Sequence, residues 1–194
     1  MPGKLFVISG PSGAGKTTLV NALITTIGAS HNVERVVTYT SKKPRPAEVN
    51  GIDYHFVTPQ EFERLLEEGF FLEWSTAYGT YYGTPASIIE GLSQGKSSII
   101  ILDRAGAQAL AKLYRDVVLI WVEAPTVAVL ENRLRMRGQD THEQIGRRMV
   151  LASAEMEQEK LMPFFHYHVI NTVLDDAYKI VRLNMCSELQ CAHE

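Results

Sequence analysis

The chain carries two kinds of hydrophobic pattern in turn. Short unbroken apolar runs, at Leu5-Phe6-Val7-Ile8, 97–102 and 117–122, read as strands buried on both faces. Between them apolar residues recur at helical spacing, as at Leu19, Leu23, Ile24 and Ile27. Helices are predicted over 16–27, 86–94, 107–114, 126–137, 141–161 and 175–189, with a last short strand at 168–171. Strands alternating with helices imply an α/β fold, a parallel sheet with helices on both faces in three layers. Residues 37–84 break that rhythm. After a short strand at 33–37, β segments at 53–57, 70–74 and 79–84 follow one another closely, with one helix from Pro59 to Gly69. Thr58 is placed to cap that helix, with Glu61 as its capping-box partner. The polar stretch 38–48, with Pro44 and Pro46, reads as a loop. A small mixed β lobe inserted into the α/β core is therefore expected.

Composition narrows this picture little. The 194 residues are 45% hydrophobic and 21% charged, enough for one well-packed core. The net charge of −3 gives no general basic field, so nucleic acid is not an expected partner. No apolar run reaches the length of a membrane span, so no membrane association is expected. The opening Met-Pro-Gly-Lys runs straight into a core strand, and Cys186 and Cys191 are the only cysteines. Two late cysteines make no disulfide framework, and a cytoplasmic location is the expectation. Cys186 is expected to face the core from the last helix. His55, His166 and His168 lack the spacing of metal ligands and read as structural.

The most specific chemistry lies between the first strand and the first helix. Gly10-Pro11-Ser12-Gly13-Ala14-Gly15-Lys16-Thr17 matches G-x-x-x-x-G-K-[ST] in its required strand–loop–helix context. Glycines let the backbone bend so that several N–H groups converge on one anion. The positive end of the following helix adds to that field. Lys16 is expected at the terminal phosphates of a nucleoside triphosphate, with the Thr17 hydroxyl on a magnesium ion. Gly10 to Thr17, with Thr18, form the candidate ATP site. A carboxylate for that ion is expected at Asp103, directly after the apolar strand 97–102.

The glycine loop, the Pro-Arg-Pro-x-Glu loop at 44–48, Gly51-Ile52-Asp53-Tyr54-His55-Phe56, Glu73-Trp74 and Tyr81-Tyr82-Gly83-Thr84 together resemble guanylate kinase. The resemblance runs from Leu5 to about Asn171. It implies a P-loop NTPase core, an inserted mixed β lobe that binds GMP, a helical lid, and transfer of the γ-phosphate of MgATP to GMP. The implied division is core at 1–36, 89–125 and 150–194, GMP lobe at 37–88 and lid at 126–149. By resemblance, Lys42, Arg45, Tyr54 and Tyr82 clamp the GMP phosphate, Glu73 reads guanine, and Thr38 and Thr84 help to hold the base. Arg133, Arg137 and Arg148 match the arginines around the moving phosphoryl group, Arg135 and Arg147 match less well, and Asn171 falls near the adenine. One carboxylate can accept from guanine N1–H and the 2-amino group at once, whereas adenine offers a lone pair at N1. The chain departs from the family pattern in three places: Lys42 replaces arginine, Ile101 an aspartate and Ala105 a glutamine. Lysine is a point charge where arginine is a planar fork; Lys43 next door is the candidate to compensate. Two other functions fit the same motifs, a P-loop kinase with a different phosphate-bearing acceptor and a non-catalytic binding module of guanylate-kinase-like fold. The oligomeric state is left open.

Overall fold

A computed structural model describes residues 2–77 and 79–189. Cys191 and the tail from 190 lie outside the described residues. The elements in order are β1 (Leu5–Ser9), α1 (Lys16–Ile27), β2 (Val33–Arg35), β3 (Tyr39–Thr40), β4 (His55–Phe56), α2 (Pro59–Glu67), β5 (Phe71–Ala77), β6 (Thr80–Pro85) and α3 (Ile88–Ser93). They continue as β7 (Ser97–Ile101), α4 (Arg104–Leu113), β8 (Val117–Glu123), α5 (Val127–Arg137), α6 (His142–Leu161), β9 (Tyr167–Ile170) and α7 (Leu174–Glu188).

The core sheet is parallel, ordered β2-β7-β1-β8-β9. β1 lies at its centre, with Val7 opposite Ile100 on one side and Leu119 on the other. Successive side chains point to opposite faces. Phe6 and Ile8 therefore pack with Leu19 and Leu23 of α1 and Val181 of α7. Leu5 and Val7 pack with Leu92 of α3 and Leu110 of α4 on the other face. This is the three-layer α/β arrangement expected from the alternating pattern. The chain leaves β1 through α1 toward β2 on one side, while β8 and β9 extend the sheet on the other. A crevice at the carboxyl ends of the strands follows from that reversal.

The glycine loop fills this crevice because its neighbours leave space only for glycine. Gly10 has φ 139°, and a Cβ there would fall 1.9 Å from the carbonyl oxygen of Val122 on β8. The sheet thus presses directly on the loop. Gly10→Ala is expected to destabilise the fold by about 3 kcal/mol, the upper end for overpacking. ATP should no longer raise its melting temperature, and a wild-type ATP-induced shift in Gly10→Ala would contradict this.

The inserted lobe is a four-stranded mixed sheet, ordered β4-β3-β6-β5. Phe62 of α2 stacks between Phe71 and Tyr81, with ring centroids 4.4 and 5.0 Å away. Gly83 admits this stack, since a Cβ would lie 2.7 Å from the Phe71 ring. A register shift between Phe71 and Glu73 turns Glu73 to face Thr84. Several boundaries differ from expectation. Residues 39–40 form strand β3 rather than loop, because Tyr39 pairs with Gly83 and Thr40 with Tyr82, some forty residues away. The helix expected from 107 starts at Arg104, because Asp103 caps it by accepting from Gly106 N at 2.6 Å. Thr58 caps α2 as expected, but Glu61 turns to Arg64 instead of closing a capping box. Cys186 is half-buried, while Met185 beside it enters the core.

α5 and α6 form a helical arm. Thr126 caps α5, Gly138 ends it at φ 64°, and Thr141 with Gln144 closes a capping box that starts α6. The three histidines behave as structural groups. His55 stacks on Tyr39, His166 Nδ1 accepts from Leu119 N, and His168 lies 3.4 Å from Glu159. Among the described residues no helix is long and apolar enough to cross a membrane.

Candidate functional site: one cavity with two anion-binding ends

A cavity of about 1090 Å³ runs between the core, the inserted lobe and the arm. At one end are Gly10, Ser12, Gly13, Gly15, Lys16, Thr17 and Thr18. Pro11 and Ala14 do not line it; both are buried and shape the loop from outside. Lys16 Nζ donates to the carbonyls of Gly10 and Pro11 at 2.6 and 2.9 Å. Burial lowers the Lys16 pKa to about 8, partly opposed by Glu155 and Asp103. Asn171 lines the same end, yet its Nδ2 donates to the Ala14 carbonyl at 2.8 Å. It thereby props the loop from the end of β9. Its Oδ1 is buried without a hydrogen-bond partner.

The inserted lobe supplies the other end, where Lys42, Arg45, Tyr54 and Tyr82 line the wall. Lys42 Nζ donates to both oxygens of Glu48 at 2.6 and 2.7 Å, and Arg45 Nη1 approaches Glu48 at 3.4 Å. Burial lowers the Lys42 pKa, with the Glu48 hydrogen bond acting against it. Burial raises that of Glu48, but bonds from Lys42 and Arg45 outweigh it and hold the carboxyl below its usual range. The cationic end is thus balanced by an internal carboxylate. Burial pushes the Tyr54 phenol up to about 12, reinforced by Tyr82 and Glu48, so it stays a donor. Lys43 is exposed and does not line the cavity.

Glu73 and Thr84 are buried beside this end without lining it, and Thr38 lines it. Thr84 donates its hydroxyl to Glu73 Oε1, while Glu73 Oε2 has no hydrogen-bond partner. Burial raises the Glu73 pKa to about 7, with Thr84 opposing and Asp103 reinforcing the shift. A carboxylate with one oriented oxygen and one free oxygen suits a ligand that offers two adjacent donors.

The arm contributes Arg133, Arg137 and Arg148 to the wall between the ends. Arg148 Nη1 lies 3.3 Å from Ser12 Oγ in the loop and 3.2 Å from Asp140. Arg133 Nη2 donates to the Asn171 carbonyl at 2.8 Å, which ties α5 to the end of β9. Arg135 and Arg147 instead pair along their own helices with Glu131 and Glu143. Asp140 also lies 3.9 Å from Arg45, so the arm reaches the inserted lobe.

Asp103 lines the cavity with both oxygens engaged, Oδ1 with Gly106 N and Oδ2 with the Ser75 hydroxyl at 3.1 Å. The donors near Lys16, namely Thr17, Asp103 and Glu155, are all oxygens, which suits magnesium. Among the described residues no three acidic or histidine side chains cluster as a metal site. Glu155 and Asp140 escape the motif reading, and Glu48 enters it only as part of the Pro-Arg-Pro-x-Glu loop, with no role given. Glu155 is within reach of it, since it lies seven residues from Arg148 and hence on the same face of a helix. Glu48 declares itself through Lys42 and Arg45 in its own loop, and Asp140 through Arg45, brought in by the fold.

A strand–glycine loop–helix at the switch point, facing a second cationic end across one cavity, defines a P-loop kinase. Residues 2–188 match the family model described as guanylate kinase. The chain is 42% identical over 177 residues to the guanylate kinase of Nitrosospira multiformis, covering 91% of this chain and 81% of that one. Its identity to that of Idiomarina loihiensis is 39% over 173 residues, covering 89% and 78%. The solved guanylate kinase from Anaplasma phagocytophilum superposes with a TM-score of 0.79 at 25% identity, over 97% of this chain and 87% of that one. The chain belongs to the guanylate kinase family.

Proposed function

We propose that this chain transfers the γ-phosphoryl group of ATP to GMP, giving ADP and GDP. The observation that carries the assignment is the single cavity that joins a phosphate loop to a second cationic end next to a buried, half-satisfied carboxylate. Phosphoryl transfer is mostly positioning and charge stabilisation, and two anions must be brought end to end. Residues 10–18 hold the ATP phosphates, and Lys16 exchanges its loop carbonyls for phosphate oxygens. Lys42, Arg45, Tyr54 and Tyr82 hold the GMP phosphate once Glu48 yields its partners. Glu73 accepts from guanine N1–H and the 2-amino group, with Thr38 and Thr84 beside the base. Arg133, Arg137 and Arg148 place positive charge between the two nucleotides, where the equatorial oxygens of the transferred group develop charge. Thr17 and Asp103, the latter through water, would hold magnesium, which when bound with ATP neutralises phosphate charge.

Residues 37–88 act as the GMP lobe and 126–149 as a lid that excludes water, on the remaining core. The partners are free nucleotides in the cytoplasm rather than nucleic acid, in keeping with the net charge of −3. A coupled ADP-release assay across GMP, AMP, UMP and dTMP tests the proposal. GMP is expected to exceed the others by about 10⁴-fold in kcat/KM, the discrimination available to a site built on base hydrogen bonds. No preference for GMP, or no turnover with it, would remove the assignment.

A further inference from the structure

Arg104 follows Asp103 directly, and its guanidinium is buried at 5% exposure. Its Nε and Nη2 fork onto Glu159 Oε2 at 3.1 and 2.9 Å, and Nη2 also donates to the Met162 carbonyl at 2.9 Å. The guanidinium lies 5.8 Å from the Phe164 ring centroid. Glu159, 2% exposed, uses its other oxygen for Phe164 N and Phe165 N at 2.7 and 3.1 Å. The pair therefore gathers the start of α4, the end of α6 and the turn that leads to β9 into one hydrogen-bonded joint.

That joint sits at one end of a continuous helix whose other end reaches the phosphate loop. Arg148, Ala152, Glu155 and Glu159 are spaced by four, three and four residues, so they share one face of α6. Ala152 is fully buried in the core, and Arg148 and Glu155 line the nucleotide cavity. Arg148 and Glu159 are about 16 Å apart along the helix axis, which makes α6 a lever with its pivot at Glu159. Apolar packing at the pivot would leave the helix free to slide and roll, whereas a forked pair with a second carbonyl acceptor sets both its height and its rotation. Buried ion pairs are weak sources of net stability compared with apolar residues of similar volume, so geometry is the better account of this one.

We propose that Arg104 and Glu159 are positioning residues for phosphoryl transfer. They hold the pivot of α6 against the Asp103 corner and so fix Arg148 at the phosphate loop. This rests on the reading of Arg148 as a contact of the transferred group. Arg104 borders the cavity beside Asp103 and Glu159 lies off it, but the guanidinium is committed to Glu159 and Met162, so both act through the helix.

The test is steady-state kinetics with amide hydrogen exchange on the full chain. Arg104→Met should lower kcat by at least about 10-fold, since misplacement by an ångström can cost 10²-fold, with both KM values within about 3-fold of wild type. Exchange with ADP and GMP bound should speed up at residues 138–148 and stay unchanged in β1 and β8. The double variant Arg104→Gln/Glu159→Gln should regain more than half of the lost turnover. The amide oxygen introduced at position 159 can still accept from Phe164 and Phe165, while its nitrogen donates to the amide introduced at position 104. No recovery would mean that charge rather than placement acts, and wild-type kcat in Arg104→Met would mean that the pair is structural only; either overturns the proposal. If Arg104→Met does not fold, Arg104→Lys keeps the charge without the fork; wild-type kcat and exchange in that variant overturn the proposal equally. Absence of GMP-dependent turnover in the wild-type chain would instead remove the functional assignment, a result no Arg104 variant can imitate.

Discussion

Lys16→Ala is expected to lower kcat by about 10³-fold or more, with the melting temperature nearly unchanged. Lys16 Nζ donates to the Gly10 and Pro11 carbonyls at the mouth of α1. Gly10 lines the cavity, where water can replace the ammonium, so little stability depends on these bonds. The transferred phosphoryl group has no such substitute. Its charge must be met by a cation fixed in advance, and Lys16 is held at the loop by two carbonyls. Single-turnover transfer at saturating ATP and GMP separates this loss from weaker binding. Turnover within about 10-fold of wild type would show that the glycine loop is not the catalytic cradle.

Glu73→Gln should lower kcat/KM for GMP by about 10³-fold and leave the KM for ATP within about 3-fold. Oε2 has no hydrogen-bond partner of its own and can only accept, whereas a glutamine nitrogen there would meet guanine donors with another donor. An unchanged preference among monophosphates would take base reading away from this residue. The same carboxyl has a pH signature. Its folded pKa of about 7 lies above the ordinary 4.5, so the free protein binds more protons than the unfolded chain between those values. Stability contributed by this group is therefore present below about pH 4.5 and is lost as pH rises through 7. The loss is at most roughly 3 kcal/mol, and it should vanish in Glu73→Gln. Guanine donors favour the charged form, so GMP binding at pH 6 should release a proton from Glu73. Calorimetry in buffers of different ionisation enthalpy reads that release. The GMP phosphate titrates in the same range, so the diagnostic quantity is the difference between wild type and Glu73→Gln.

How much of this is legible in the sequence follows from the range of each interaction. The central strands β7, β1 and β8 and the core helices are readable because burial on two faces, or on one stripe, leaves a pattern that needs no knowledge of the neighbours. The glycine loop is readable for the same reason: strand, turn and helix are contiguous, and the chemistry of Lys16 and Thr17 is set within eight residues. The clamp residues and Glu73 come into view through motif order, but their balance does not. Glu48 holds Lys42 and Arg45 only because the 41–49 loop folds back on itself. Resemblance puts Asn171 near adenine, whereas its bond to Ala14 spans 157 residues.

What the sequence alone determined is the class of chemistry. A glycine loop that ends in Lys-Thr between a buried strand and an amphipathic helix binds phosphate wherever the rest of the chain goes, because main-chain amides and one helix end suffice. The tertiary structure alone decided how those groups are held and aimed. Strand β8 forces glycine at position 10, a bulge turns Glu73 toward Thr84, and two residues 55 positions apart close the buried joint at the base of α6. Each of these depends on groups distant in the chain, which carry no shared periodicity or local propensity and acquire meaning only once the sheet has brought them together.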